Sequence, residues 1–317
     1  MGRVTVTGRT LAGVAAAVRL ARVGHEVTLV ESPGEGAALR AQLGATLGFP
    51  APWRDLFKKS GRPTAGALGL HGLDLVPDPE GPPTDRAAVW YADVEAHGEP
   101  VATAWRDLVD AADDAWQSVR PLGVEAELTP DAVARAALSP RRSLADVAAT
   151  LPHPDLAHRV RRLADDHRVA PDSAPAWLVS RLSVERTFGR WRLVDAAGTP
   201  QPASALVDVL DDRLAERGVR VVATDPGDAQ AHVQTRDPGV RWRRPPRWGR
   251  RGTFTAQLLA RPSLRDPAGP GRFHASASSP AGPEPWAQLL SGALAAYAVH
   301  EHLTGEDIRP TNKSLAR

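Results

Sequence analysis

The residues whose types and spacing first suggest chemistry are Gly8, Thr10, Gly13 and Glu31, in the stretch VTVTGRTLAGVAAAVRLARVGHEVTLVE at 4–31. A Gly-x-Gly-x-x-Gly turn between a strand and a helix offers backbone N–H groups and the positive end of a helix dipole to a pyrophosphate. Its glycines have separate tasks: a tight turn, close approach of backbone to phosphate, and close packing of helix on strand. Here the first is Gly8 and the third Gly13, but the second position is Thr10. A branched side chain there is expected to cost both positive-φ freedom and contact distance. Glu31, ending the second strand, is a carboxylate suited to ribose hydroxyls. The turn therefore predicts weakened or lost dinucleotide binding, with no tightly held cofactor.

Other chemistries are narrowed by what the chain contains. It has no cysteine, which excludes thiolate nucleophiles, cysteine zinc sites and iron–sulfur clusters. No GxSxG, GxxxxGK[ST] or HExxH pattern occurs. His300, Glu301 and His302 are close in sequence, but residues two apart point to different helix faces and no third ligand is spaced to join them, so no metal site is expected. The acidic pairs Asp113–Asp114 and Asp165–Asp166 read as solvated helix faces. In RWRRPPRWGRR at 241–251, Arg241, Arg243, Arg244, Arg247, Arg250 and Arg251 surround two tryptophans, and the prolines make an extended loop. Such a loop suits an acidic partner such as an acyl carrier protein presenting a tethered chain, or is a solvated loop in an arginine-rich composition. No second nucleic-acid motif accompanies it, so single-stranded nucleic acid is not expected. The formal net charge of +2 creates no global field. No apolar run approaches the roughly 18 residues of a membrane span, and the first apolar stretch is cut by Arg9, Arg19 and Arg22, unlike a signal peptide. A cytoplasmic protein is expected.

The elements that must position these residues follow from periodicity. Residues 3–7 and 27–30 are buried-type strands around a helix with Val14, Ala17, Val18 and Ala21 on one face, a β-α-β unit closed by Gly24. Pro52 starts a helix that Gly61 and Pro63 end. Residues 76–87 read as a loop, 100–119 as a helix, and Thr129, Ser143 and HPDLAHRVRRLADDH signal three more helices. SAPAWLVSRLS predicts a helix running into a strand near FGRWRLVD, followed by a helix at 203–217 and a strand in GVRVVATD. Strands are also predicted at 252–260 and 271–276, and a long helix from about Pro285 to Leu303.

Three blocks in this order, VTVTGRTLAGVAAAVRLARVGHEVTLVE, FPAPWRDLFKKSGRP and GRFHASASSPAGPEPWAQLLSGALAAYAV, resemble the phytoene desaturase, carotenoid isomerase and amine oxidase superfamily. SVERTFGRWRLVDAAGTPQPASALVDVLDDRLAERGVRVV is more weakly similar to the family's substrate-domain strand, helix and return strand. The resemblance implies an α/β chain with the glutathione-reductase-like FAD/NAD(P)-binding Rossmann fold: a Rossmann-like domain at 1–75 and 205–317, and a reduced helical and small-sheet substrate region at 76–204. The departures fall on the flavin. The family's Gly-Gly-Arg turn is replaced by SPGEGAALR, its C-terminal glycine turns by ASASSPAGPEPW, and the chain is shorter than family members.

The family acts on apolar polyenes, isoprenoids or amines, so an apolar conjugated substrate is implied, and a flavin-poor descendant should catalyse a reaction without net redox, as an alkene isomerase or cyclase. An FAD-dependent desaturase and a catalytically inactive partner or scaffold are the alternatives. The resemblance places His71 and Asp74 beside the flavin and substrate, Glu185 and Arg186 on the strand lining the substrate cavity, and His274 at the start of the degenerate flavin turn, as candidates for acid–base work. Glu284 ends that turn, and Trp286 would close the pocket. Nine tryptophans against five phenylalanines suggest an aromatic-lined cavity built from Trp53, Trp90, Trp177, Trp191 and Trp286.

Overall fold

The computed structural model describes residues 1–81, 85–246 and 252–310. Its chain order is β1 (Arg3–Thr7), α1 (Leu11–Arg22), β2 (Glu26–Val30), α2 (Glu35–Ala41), β3 (Leu47–Gly48), α3 (Pro50–Lys59), α4 (Thr64–Gly69) and β4 (Leu73–Pro77). Helices α5 (Arg86–His97), α6 (Glu99–Val119), α7 (Pro130–Arg135), α8 (Leu144–Ala148), α9 (Pro154–Arg162) and α10 (Ser180–Phe188) form the middle. Then come β5 (Arg190–Asp195), β6 (Pro200–Gln201), α11 (Leu206–Glu216), β7 (Arg220–Val222), β8 (Ala231–Gln234), α12 (Phe254–Leu259), β9 (Arg272–His274) and α13 (Pro285–Thr304).

Consecutive buried residues in β1 and β2, rather than alternation, mark strands covered on both faces. They lie in a five-stranded parallel sheet of order β7-β2-β1-β8-β9, with Val6 of β1 opposite Leu29 on one side and Val233 on the other. The fold is thus mixed α/β around a parallel sheet. Val4, Val6, Val27 and Leu29 are almost fully buried, each contributing roughly 1.5–3 kcal/mol of transfer free energy.

Helix α1 is buried from Leu11 to Leu20, because α13 covers it. Small residues permit the approach: a Cβ on Gly292 would come within 2.2 Å of the Ala12 carbonyl oxygen. Arg19 is buried in this contact with its guanidinium 2.7 Å from Asp55. A smaller antiparallel sheet, β3-β5-β4 with β6 added to β5, lies beside the main one.

A second core belongs to the helical middle. The buried face of α6 is Ala102, Trp105, Val109, Ala112, Trp116 and Val119, spaced by three and four residues, and α10 packs on it. This core also recruits Trp242, Phe254, Leu258 and Trp286 from the C-terminal third.

Three sequence expectations are corrected. Glu185 and Arg186 are on a helix, α10, not a strand. The segment 252–260 holds α12, whose start is capped by the Thr253 hydroxyl accepting from the Ala256 N–H at 3.1 Å, so it is not a strand. The expected loop at 76–87 gives way at Arg86 to α5, which the Asp85 carboxylate caps at the Ala88 N–H. Among the described residues no helix is long and apolar enough to cross a membrane.

Candidate functional site

The turn between β1 and α1 is built by its two remaining glycines. Gly8 has φ +109°, and a Cβ on Gly13 would meet the Gly8 carbonyl oxygen at 2.2 Å and the Thr235 hydroxyl at 2.8 Å. Thr10 departs from expectation. Its φ of −110° is ordinary extended backbone, so this position does not demand glycine for its conformation. Its hydroxyl accepts from the Gly13 N–H at 3.0 Å, making Thr10 the N-cap of α1.

Side chains also satisfy the rest of the turn. The Arg9 N–H donates to Glu35 at 2.9 Å, and the Ser32 N–H donates to the same carboxylate oxygen at 3.0 Å. Arg236 holds the other Glu35 oxygen at 2.6 Å. Burial would raise the Glu35 carboxyl, but Arg236 and the two backbone donors outweigh it and hold it below the usual range. Both Glu31 oxygens are engaged, one by the Arg9 guanidinium at 2.8 Å and one by the Gly36 N–H at 3.2 Å, and Arg9 reaches on to Asp211. Glu31, which would take ribose hydroxyls, and the Arg9 and Gly13 N–H groups of the phosphate turn are therefore bonded to the protein itself. The residues present do not fit an adenine dinucleotide in the ordinary way.

A cleft of about 420 Å³ opens beside this turn, at the carboxyl ends of β1 and β8, where chain direction across a parallel sheet diverges and α/β folds place ligands. Thr10 and Thr235 lie on one side, Glu284 and Gln288 at the start of α13 on another, and the turn after α9, with Asp166 and His167, on the third. Arg241, with its partner Asp237, and Arg261 also line it.

Glu284 is the buried centre. One oxygen accepts from Arg181 at 2.6 Å and is 3.8 Å from His167 Nε2; the other has no hydrogen-bond partner among the described residues. Arg181 is held by the Ala281 carbonyl at 2.9 Å and lies 4.9 Å from the centre of the Trp286 ring. Gly282 is required at the bend, since its φ is +115° and a Cβ would lie 2.3 Å from the free Glu284 oxygen.

Burial opposes ionisation of Glu284, but the charge and hydrogen bond of Arg181, with His167, prevail and hold it below the usual carboxylate range. Burial takes the His167 imidazole down to about 4, against the attraction of Glu284, so it is neutral at pH 7. Asp166 is solvent-exposed on the cleft wall, its carboxyl leaning against the protein. Surrounding protein and the Glu284 charge together push its carboxyl up to about 6. Arg261 is lowered to about 10 by burial; its Nη1 is fixed on the Ser278 and Ser279 carbonyls, while its Nε lacks a partner among the described residues. One carboxyl can exchange a proton near neutrality beside a fixed anion, a neutral imidazole and a buried cation.

Of the residues singled out in the sequence, Thr10, Glu284 and Arg241 line this cleft. His71 is 3.0 Å from Asp212 of α11, and Asp74 is exposed on β4 with its carboxylate bound to the Leu75 N–H. Glu185 is exposed, and Arg186 pairs with Asp110 and Asp113 on α6. His274 bonds Ser276 at 2.8 Å on β9. None of these five lines the cleft.

The tryptophans are dispersed into packing roles. Trp53 is in the sheet core, Trp90 lies under Arg106, and Trp191 under Arg54. Trp177 packs edge-on against Trp242 and Phe254, and Trp286 joins Phe49 and Trp116. In the arginine loop, Arg241 pairs with Asp237, Arg244 with Asp172, and Arg243 is held through its backbone by Gln257. Arg247, Arg250 and Arg251 lie outside the described residues. His300 bonds His25 at 2.9 Å and Glu301 pairs with Arg265, which accounts for that histidine-rich stretch.

Sequence reasoning missed Asp166, His167, Arg181 and Arg261. Asp166 is exposed, as a solvated face requires, but it lies in the turn after α9 rather than on a helix, where Arg168 adopts φ +52°, and this turn faces the cleft. No periodicity signals such a placement.

A scan against protein-family models finds no match, and a search of curated proteins finds none either. Solved structures similar to the chain include an oxidoreductase from Methanosarcina mazei, at 13% identity and a TM-score of 0.40. The match covers 74% of this chain and 58% of that one, so the chain spans less than two thirds of its length.

Proposed function

We propose that the chain is an enzyme of proton-transfer chemistry without net redox, acting as an isomerase on a conjugated acyl-type substrate whose polar end enters the cleft. The observation that carries this reading is the grouping of Asp166, His167 and Glu284 in the cleft next to a nucleotide turn bonded to its own side chains. The polar lining favours a conjugated substrate with a polar end over the purely apolar chain that the resemblance implies, since the latter would leave Glu284 and Arg261 buried against hydrocarbon, at a cost of several kcal/mol.

In the proposed reaction the Asp166 carboxylate removes a proton from a carbon conjugated to the carbonyl. The electron pair moves into the carbonyl, Arg261 and Arg241 offset the charge that develops on its oxygen, and Asp166 returns the proton at another carbon of the conjugated system. The double bond moves or rotates, and no oxidant is consumed. Desolvation against the protein, with the anionic Glu284 beside it, keeps the Asp166 carboxyl raised to about 6, so the acid and base forms are both populated near that pH.

The test is deuterium incorporation into conjugated acyl thioesters in heavy water, with wild-type protein and Asp166→Asn. Exchange lost in the variant supports the reading. One flavin held stoichiometrically by the purified protein would overturn it in favour of a desaturase, and full exchange in Asp166→Asn would remove Asp166 from the chemistry.

A further inference from the structure

Away from the cleft, the end of α5 and the start of α9 bring together two imidazoles and a carboxylate. His97 is the last residue of α5 and His153 the N-cap of α9, so the two come from segments far apart in sequence. Their rings are 4.8 Å apart between centres and tilted by 50°, which is neither stacking nor a shared hydrogen bond. The Asp155 carboxylate lies 3.8 Å from His153 Nδ1, which also accepts from the Asp155 N–H at 3.3 Å, so a metal must either displace that cap or use Nε2. One ligand atom from each of the three falls within 4.8 Å of the others, both histidines are half-buried, and Asp155 is exposed.

We propose that His97, His153 and Asp155 bind a divalent transition-metal ion of the zinc class, with a remaining position open to water. Two imidazoles with one carboxylate suit zinc rather than calcium or magnesium, which favour all-oxygen sets. Tetrahedral zinc places its ligand atoms closer together than 4.8 Å, so the half-buried imidazoles and the exposed Asp155 carboxylate must rotate inward on binding. Asp93 lies one turn before His97 on α5 and within electrostatic reach of it, in the place of an outer-shell carboxylate. It is 3.9 Å from Arg159, which leaves Asp155 as the ligating carboxylate. An ion here ties α5 to α9, and α9 runs directly into the turn that carries Asp166 and His167. The site is independent of the chemistry proposed for the cleft.

The protein is titrated with Zn2+ by calorimetry and with Co2+ by visible absorption, which distinguishes low-coordinate imidazole ligation from the hydrated ion. Wild type is expected to bind one equivalent. His97→Ala and His153→Ala should each weaken binding by at least about tenfold, while His158→Ala, an exposed histidine on α9, should leave it unchanged. Asp155→Asn, at an exposed position, gives the same reading if a histidine variant folds poorly. Zn2+ should also slow amide hydrogen exchange at the end of α5 and the start of α9. Zinc binding that persists unchanged in the His97→Ala/His153→Ala protein, or no binding by wild type, overturns the proposal.

Discussion

Replacing Glu284 by Gln tests whether the centre of the cleft is one coupled unit. The carboxylate is 7% exposed and carries the 2.6 Å bond from Arg181, whose side chain is 13% exposed. Breaking a buried pair on one side leaves an uncompensated charge, at about 3–5 kcal/mol. Arg181 keeps the Ala281 carbonyl and the Trp286 ring, which places Glu284→Gln near the lower end, roughly 3 kcal/mol. Arg181→Met should cost a similar amount. The double variant should cost distinctly less than the sum, with a coupling of about 2 kcal/mol, because neither charge is then left alone. Urea unfolding at constant m-value measures all three. Glu284→Gln should also move the acid limb of activity below 6, since its charge helps to raise the Asp166 carboxyl. Additivity of the two single variants to within about 0.5 kcal/mol would refute the coupled pair.

Other outcomes follow from the same geometry. The folded imidazole of His167 is depressed to about 4 from 6.5, so its stabilising contribution, at most about 3 kcal/mol, is complete above 6.5 and lost as pH falls through 4. Asp166 is raised, so its contribution is complete below 3.8 and lost as pH rises through about 6. Urea midpoints at acid and neutral pH should therefore fall less in His167→Gln than in wild type, and more in Asp166→Asn. Gly282→Ala should destabilise by at least about 1 kcal/mol and abolish proton exchange by pushing Glu284 aside; unaltered exchange would show that the bend does not hold the site. Thr10→Ala should cost about 1 kcal/mol as a lost cap and Thr10→Gly only a few tenths. Neither should create FAD binding in a fluorescence titration unless Arg9 and Glu35 are also replaced, and flavin binding gained by Thr10→Gly alone would contradict the self-bonded turn.

The parallel β-α-β start, the roles of Gly8, Gly13 and Gly24, the long final helix and the amphipathic helix before Val119 were determined by sequence alone. Most are local matters, an unbroken apolar run, a three-and-four spacing or, at Gly8 and Gly24, glycine where φ is positive; Gly13 is instead held by close contact with the Gly8 carbonyl and Thr235. Glu284 was singled out only through the resemblance, as the end of the degenerate flavin turn. What only the tertiary structure decided is who shares the cleft. Arg181 meets Glu284 across 103 residues of chain, and Arg9 meets Asp211 across 202. Such pairs leave no trace in periodicity, because each side chain belongs to a different element and only the packing of those elements brings them together. The Thr10 position shows the same division. Its residue type could be read as damage to a phosphate turn, but only the fold shows the hydroxyl serving as a helix cap while Glu35 takes the neighbouring backbone donor, because both depend on where the second helix returns to the first.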